Sequence, residues 1–379
     1  MRILITTDNY YTKTHAVVNT IANLYRELTK RGHEIRILSF SNDEHKHRDA
    51  DLYYLKALPM EFVSHGKKDR LEIFDDLASW MPNIIHSHSE FLSYEFALKL
   101  SKRCSCPIIH TFHALYEDYI SYLNPSKKLN QGIAKLVMKS RLKKADAIIV
   151  PTKKAEKKLI ACNVREGIEI IPSGINLEKH QKTMTHADRE DLRAYFSIAS
   201  NDIVLVSIGR LSYEKNLDEA IRFFALATEK YPNLKLLLVG EGPARDALER
   251  LCQNLEIADK VVFAGKVKPD DVSRYYQAGD IFVSSSTSGT QGLTFIEAAA
   301  NSLPMLCKKD PILDDIIARG ENGYTYEIKE DYLTNLGLMV EEEVWREKAA
   351  KKSKEIAAIY DIQCFGDRIS NIYNALIGK

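Results

Sequence analysis

Apolar and polar positions along the chain switch between two periods. In the first half, the short β-branched runs "RILITT", "EIRILSF", "NIIHSHS", "PIIHTFH", "AIIVPT" and "IEIIPSG" predict strands. Between the first two lies "HAVVNTIANLYRELTKRG", where Val18, Ile21, Leu24 and Leu28 recur at helical spacing before Gly32 closes the segment. The second half repeats the rhythm with "DIVLVSIG", "LKLLLVG", "KVVFAG", "DIFVSSS" and "LPMLCKK". Nearly continuous apolar strands with helical crossovers predict parallel sheets covered on both faces. The polar stretch "NLEKHQKTMTHADRED", residues 176–191, reads as a connector. The expected fold class is α/β, with two doubly wound domains, residues 1–178 and 190–360, facing each other across a cleft. In such sheets ligands gather beyond the carboxyl ends of the strands.

Composition narrows the function classes. A chain of 379 residues exceeds one ordinary core and suits two domains. Its net charge of +1 argues against a nucleic-acid partner drawn to a dominant basic surface. No run of apolar residues is long enough to span a bilayer. The start, "MRILITTDNYY", enters a strand without a signal-peptide pattern, so a cytoplasmic protein is expected. Six cysteines are scattered without a framework, and Cys104 and Cys106 are too isolated for a zinc site, so reduced thiols are expected. The loop "TTDNYYTKTHA" lacks the G-x-G-x-x-G of a dehydrogenase.

The candidate chemistry sits at strand ends of the second half. The strand "IVLVSIG" ends at Gly209 and runs into "RLSYEKN", which places Arg210 and Lys215 in one loop. Two cations there can neutralise the charge that grows on a departing diphosphate. An exposed basic loop paired with Glu214 is the ordinary alternative. "LKLLLVG" ends in "EGP", a glycine turn that lets a ligand approach the backbone, or merely a turn. At the exit of "VVFAGKV", Gly265, Lys266 and Val267 offer backbone groups to a flat base edge. In "SSSTSGTQGLTFIEAAANSLP", Gln291, Gly292 and Leu293 fall where a helix begins, so their amides can face a phosphate. Glu297 lies about a turn and a half inside that helix. It can accept both hydroxyls of a ribose, or merely complement the helix dipole.

The ordered set "GRLSYEKN", "VGEGP", "FAGKV" and "TQGLTFIEAAANSLP" resembles the donor half of glycosyltransferase family 4, which has the GT-B fold. The resemblance implies two Rossmann-like domains and transfer of a hexose from a UDP-sugar with retention of anomeric configuration. It implies that Arg210 and Lys215 hold the donor diphosphate, Glu297 the ribose, Thr290 to Leu293 the phosphates, and Gly265 to Val267 the base. No resident cofactor or metal is expected, although stimulation by Mg2+ is left open.

The first half, through "NIIHSHSEF", "PIIHTFHALYEDYISYL", "ADAIIVPTKKAEKKLI" and "IEIIPSGINLEKH", is similar to the acceptor domain of bacterial enzymes that glucosylate diacylglycerol. That likeness implies a lipid acceptor and places His113 against the transferred sugar, with Asp8 facing the cleft. His86 and His88 with Glu90 suggest a metal site by count, but a buried polar pair is favoured because no fourth ligand is in view. The final segment "FGDRISNIYNALIGK" is expected to return to the first domain as a helix, residues 362–379.

Three positions depart from the family pattern. Gly289 stands where the first of two glutamates is usual, which removes a charge-assisted hydrogen bond of about 1.5–3 kcal/mol. Ala16 replaces a glycine whose amide approaches phosphate, and Ser302 replaces a customary glycine at no expected cost. A donor with a different hexose, a slower enzyme and a non-catalytic subunit fit these departures, and a family 4 transferase with a polysaccharide or protein acceptor is a separate alternative to the lipid reading.

Residues 127–158 hold eleven Lys or Arg, among them Lys139, Arg141, Lys143 and Lys144, against Asp146 and Glu156. They suggest a helix lying on an anionic membrane surface, at the inner face of the cell membrane, or a solvated helix face. Tyr116, Tyr119 and Tyr122 are placed to line an acyl entrance.

Overall fold

The computed structural model describes residues 1–8, 16–41, 52–56, 67–90, 92–113, 139–289 and 291–378. The candidate residues Tyr116, Tyr119, Tyr122 and Thr290 lie outside them. The chain divides into two compact units, Met1–Gly174 with Ile362–Lys379, and Ile175–Asp361.

The first unit runs β1 (Arg2–Thr7), α1 (Ala16–Lys30), β2 (Glu34–Ser41), β3 (Leu52–Lys56), α2 (Lys67–Trp80), β4 (Ile84–Ser87), α3 (Leu92–Cys104), β5 (Ile108–Thr111), β6 (Ala147–Val150), α4 (Lys153–Ala161) and β7 (Ile168–Ile170). The second runs α5 (Leu177–Gln181), α6 (His186–Tyr195), β8 (Ile203–Ile208), α7 (Leu217–Lys230), β9 (Leu234–Val239), α8 (Arg245–Asn254), β10 (Val261–Gly265), α9 (Val272–Ala278), β11 (Ile281–Ser284), α10 (Leu293–Ala300), β12 (Met305–Lys308), β13 (Gly323–Tyr326), α11 (Lys329–Glu341) and α12 (Glu343–Ala358). A last helix, α13 (Ile362–Ile377), belongs to the first unit.

Each unit is a parallel sheet buried on both faces, and strand alternation divides the residues between the faces. In β1, Ile3 and Ile5 pack with Ile21, Leu24 and Leu28 of α1 and with Phe365, Ile369 and Tyr373 of α13. Leu4, between them, points the other way, to Leu77 of α2 and Tyr94 and Ala97 of α3. The close fit of α13 on α1 depends on Gly366, where a Cβ would lie 2.5 Å from Glu27 Cγ. In the second unit Val204 and Val206 face α10, while Leu205 faces α7.

The sheet orders locate the crevices. The first sheet is ordered β3-β2-β1-β4-β5-β6-β7 and the second β10-β9-β8-β11-β12-β13. Successive connections therefore diverge between β1 and β4 in one sheet and between β8 and β11 in the other. Doubly wound sheets open a ligand crevice at such switch points, beyond the strand ends.

The stretch expected as a connector behaves differently. Residues 176–191 contribute α5 and the start of α6, and these pack within the second unit. Their sequence looks polar because α6 is held by charge rather than by an apolar stripe. Arg189 and Arg193 place Nη2 at 2.6 and 2.8 Å from the two carboxylate oxygens of Asp280.

Candidate active site

In the second unit, the loops on either side of the switch point carry the predicted donor residues. β8 gives way at Gly209 to Arg210, which is exposed and whose guanidinium makes no hydrogen bond or ion pair with the described residues. A single 3-10 turn, Tyr213–Lys215, then presents partly buried Lys215, and Asn216 reverses the chain with φ of 53°. Glu214 is not simply the partner of these cations, because its Oε1 accepts the Ser212 hydroxyl at 2.5 Å. Burial would raise the Glu214 carboxyl, but the Ser212 hydroxyl and the charges of Lys215 and Arg210 bring it below its ordinary value.

The glycines of "VGEGP" have a structural partner. A Cβ on Gly240 would lie 1.9 Å from the Gly209 carbonyl oxygen, and one on Gly242 would lie 2.2 Å from that of Leu211. What approaches this turn is the neighbouring Gly209–Leu211 backbone, fixed by Leu211 N donating to Glu241 O at 3.0 Å. The glycine turn thus sets the path of the Arg210 loop. Beyond β10, Gly265 has φ of 74° and its carbonyl accepts from Gly240 N at 2.9 Å. Lys266 is exposed there and Val267 packs against the core.

Beyond β11, Gly289 adopts φ of 96°, and among the described residues nothing lies within 4 Å of where a Cβ would stand. The backbone, however, is in a region that L residues rarely adopt. Gln291 is buried, and Gly292, with φ of 66° and ψ of 25°, is the N-cap of α10, so the amides of Leu293 and the first turn emerge at the strand-end side. Glu297, one turn further, is partly exposed. Its Oε2 accepts the Tyr276 hydroxyl at 2.9 Å, and Oε1 has no protein partner among the described residues. Burial pushes this carboxyl up to about 7, against the Tyr276 bond, which pulls it down. Tyr276, on α9, had no signal in the sequence, since it lies 21 residues from the carboxylate it holds.

In the first unit, histidines cluster at the carboxyl ends of β4 and β5, His86 and His110 within the strands and His88 and His113 just past them. His113 Nε2 lies 2.7 Å from His88 Nδ1, and the two rings stack with centroids 5.0 Å apart. His86 packs against His88 at 4.2 Å and bridges two elements, with Nδ1 at 2.7 Å from the Tyr373 hydroxyl and Nε2 at 2.6 Å from Thr111 Oγ1. His110 Nε2 lies 3.3 Å from Glu90 Oε1. Glu90 thus faces His110 rather than the His86 and His88 pair. Burial holds His113 down to about 3, with His110 adding to the effect, and it also lowers His86 and His88 well below the ordinary value. These three rings are neutral at pH 7, so His113 offers a hydrogen-bonding edge rather than a charge. Asp8 has a local task at the β1–β4 switch point: its Oδ1 accepts Ser93 N at 2.8 Å in the first turn of α3. Ala16 is the first residue of α1.

The four cations expected at a membrane divide. Lys143 and Lys144 are exposed and Lys139 is partly so, whereas the Arg141 guanidinium bonds the Glu90 carbonyl and approaches Glu95 at 3.6 Å. Arg141 therefore braces the histidine cluster. Among the described residues, no helix is long and apolar enough to cross a membrane.

Residues 17–179 match the family described as Glycosyltransferase Family 4, and residues 188–356 match Glycosyl transferases group 1. The chain belongs to the glycosyltransferases. An alpha-monoglucosyldiacylglycerol synthase of Streptococcus pneumoniae is 29% identical, the match covering 98% of this transferase and 85% of that protein. An enzyme of the same name from Acholeplasma laidlawii is 28% identical over 89% of this chain and 87% of its own. Among solved structures, Anabaena HepE in complex with UDP superposes with a TM-score of 0.79 at 17% identity, covering 99% of this chain and 100% of that one. The sucrose-phosphate synthase of Thermosynechococcus elongatus gives 0.79 at 20% identity, covering 100% and 99%. The transferase has the GT-B fold of two Rossmann-like units.

Proposed function

We propose that this transferase moves a hexose from a UDP-sugar to a membrane lipid, diacylglycerol or a glycosyl-diacylglycerol, with retention of configuration. The observation that carries the donor half is the pairing of the Arg210–Lys215 loop with the start of α10 across the β8–β11 switch point, with Glu297 Oε1 available beside it. A diphosphate placed there meets two cations and a helix N-terminus, which stabilise the charge that develops as the sugar–phosphate bond breaks. Glu297 takes the ribose hydroxyls, and the backbone at Gly265 to Val267 takes the uracil edge.

His113 contacts the transferred sugar through a neutral imidazole. In a retaining reaction the acceptor hydroxyl enters from the leaving-group face, and its proton passes to the departing phosphate oxygen. No metal is then needed, because fixed cations do the work a metal would do. The lipid acceptor is supported by the names of the two relatives, and a peripheral position on an anionic membrane face by exposed Lys143 and Lys144.

Incubating the protein with a panel of UDP-sugars and a bacterial lipid extract, then weighing the lipid products by mass spectrometry, tests the reading. A hexose added to a diacylglycerol lipid is the expected result, lost when Arg210 and Lys215 are both changed to Ala. Transfer only to a polysaccharide or protein acceptor would overturn the lipid assignment.

A further inference from the structure

A second cavity opens at the opposite end of α10. It encloses about 400 Å3 within the range of small-molecule sites and lies where the chain enters β11 and β12, not where it leaves them. The α10 helix, roughly 12 Å long at 1.5 Å per residue, separates it from Gly292. No residue proposed for the donor lines it.

One wall is a fully bonded polar network. Asn301 Oδ1 accepts the Ser273 hydroxyl at 2.5 Å and Gln277 Nε2 at 3.0 Å. Its Nδ2 donates to Glu297 O and to His180 Nδ1, each at 2.9 Å. Because Asn301 Nδ2 can only donate, His180 Nδ1 must accept, and the proton of the neutral ring sits on Nε2. The ring is neutral because burial lowers it to about 4, with Lys179 adding to the effect. His180 is 8% exposed, lines the cavity, and its Nε2 has no protein partner among the described residues. The ring, itself 8% exposed, thereby leaves its Nε2–H accessible to whatever fills the space.

The facing wall is a stripe of α12. Glu343, Arg346, Glu347 and Lys354 stand at helical spacing around Ala350, whose small side chain leaves the room. Two acids and two bases cancel, and on the other wall Arg189 faces Asp280, whose second oxygen holds Arg193 behind the lining. A net-neutral lining with donors and acceptors of both kinds selects neither an anion nor a cation. Ala300, Leu303 and Pro304 add an apolar floor. A neutral, polyhydroxylated ring with one C–H face satisfies all three surfaces.

We infer that this cavity is a second ligand site, for a neutral sugar or cyclic polyol, in which His180 Nε2 donates to a ligand hydroxyl. The inference does not depend on the donor or acceptor proposed above.

Saturation-transfer NMR of the full chain with methyl α-D-glucopyranoside, in saturating UDP, reads the binding. The signal should fall at least fivefold in His180→Ala and in the double variant Glu347→Gln with Lys354→Ala, whose rim positions are exposed and tolerant, and should persist in Arg210→Ala. An unchanged signal in the rim double variant, or its loss in Arg210→Ala alone, overturns the assignment. So does binding of inorganic phosphate in preference to the glucoside, since that would require a net positive pocket.

Discussion

His88 Nδ1 lies 2.7 Å from His113 Nε2, inside a stack that continues to His86. Two neutral imidazoles at that distance share one proton, so the orientation and the proton of His113 are set by His88. Removing His88 leaves a buried ring nitrogen unsatisfied, a change of about 1–3 kcal/mol. His88→Ala should lower kcat about 10- to 100-fold while KM for the UDP-sugar moves less than threefold, and His88→Gln should recover part of the loss. Steady-state kinetics check this, and wild-type kcat in His88→Ala would mean that His113 is oriented otherwise.

Acid should destabilise the protein early. His86, His88, His113 and His180 are all held neutral in the fold by burial, below the ordinary histidine value. Their folded pKa values are depressed, so the unfolded chain binds more protons as the pH drops below about 6.5. Stability is fully present above that value and declines toward the folded values, by up to about 1.4 kcal/mol per pH unit for each ring. Denaturant titrations at pH 7.5 and 5 should differ accordingly, and equal midpoints would refute the neutral cluster.

UDP affinity should depend on Glu297. The carboxyl sits at about 7, so near neutrality it is partly protonated, and a ribose that donates to it favours the charged form. Binding should weaken as the pH falls from 8 to 6, by up to about tenfold per unit, with protons released on binding. In Glu297→Gln only the pH dependence of UDP itself should remain. Calorimetry in two buffers of different ionisation enthalpy resolves the difference, and parallel pH profiles for the two proteins would count against the role.

Ser302 is strained. It follows Asn301, the C-cap of α10, with φ of 62°, and its amide donates to Ala299 O while Leu303 N reaches Ala298 O. This is a helix ending that glycine adopts without strain. Ser302→Gly should therefore stabilise the second unit by about 1 kcal/mol, the left-handed penalty less the entropy of glycine. Thermal unfolding measures it, and a lower Tm would contradict the strain.

Restoring the family's glutamate at Gly289 should not be neutral. With φ of 96° the backbone disfavours any side chain there, at about 1–3 kcal/mol. Gly289→Glu should lower stability by that order and alter which UDP-hexose is used. An unchanged Tm together with an unchanged donor profile would mean that the loop relaxes freely and the position does not select the sugar.

Much of this was legible in the chain. Runs such as "RILITT" and "DIVLVSIG" announced parallel strands because both faces of each sheet are covered, so alternation never interrupts them. Positions next to strand ends, Arg210 and Gly292 among them, could be placed because the fold class puts ligands there. Contacts across sequence could not. His88 with His113 and Tyr276 with Glu297 join residues 25 and 21 positions apart, and neither pair follows from any local period. α6 was missed because Arg189 and Arg193 dock it through Asp280, a device that looks like loop chemistry in sequence. Ser302 seemed harmless for a related reason: composition reveals a missing glycine but not the dihedral it would have relieved.

Tyr373, on α13 and so later in the chain than the whole second unit, closes one side of His86. A nascent chain leaving the ribosome must therefore complete the whole second unit before the segment that seals its first unit exists. Until α13 has been made, that histidine stack has a gap where the phenol belongs, and removing this helix would reopen it.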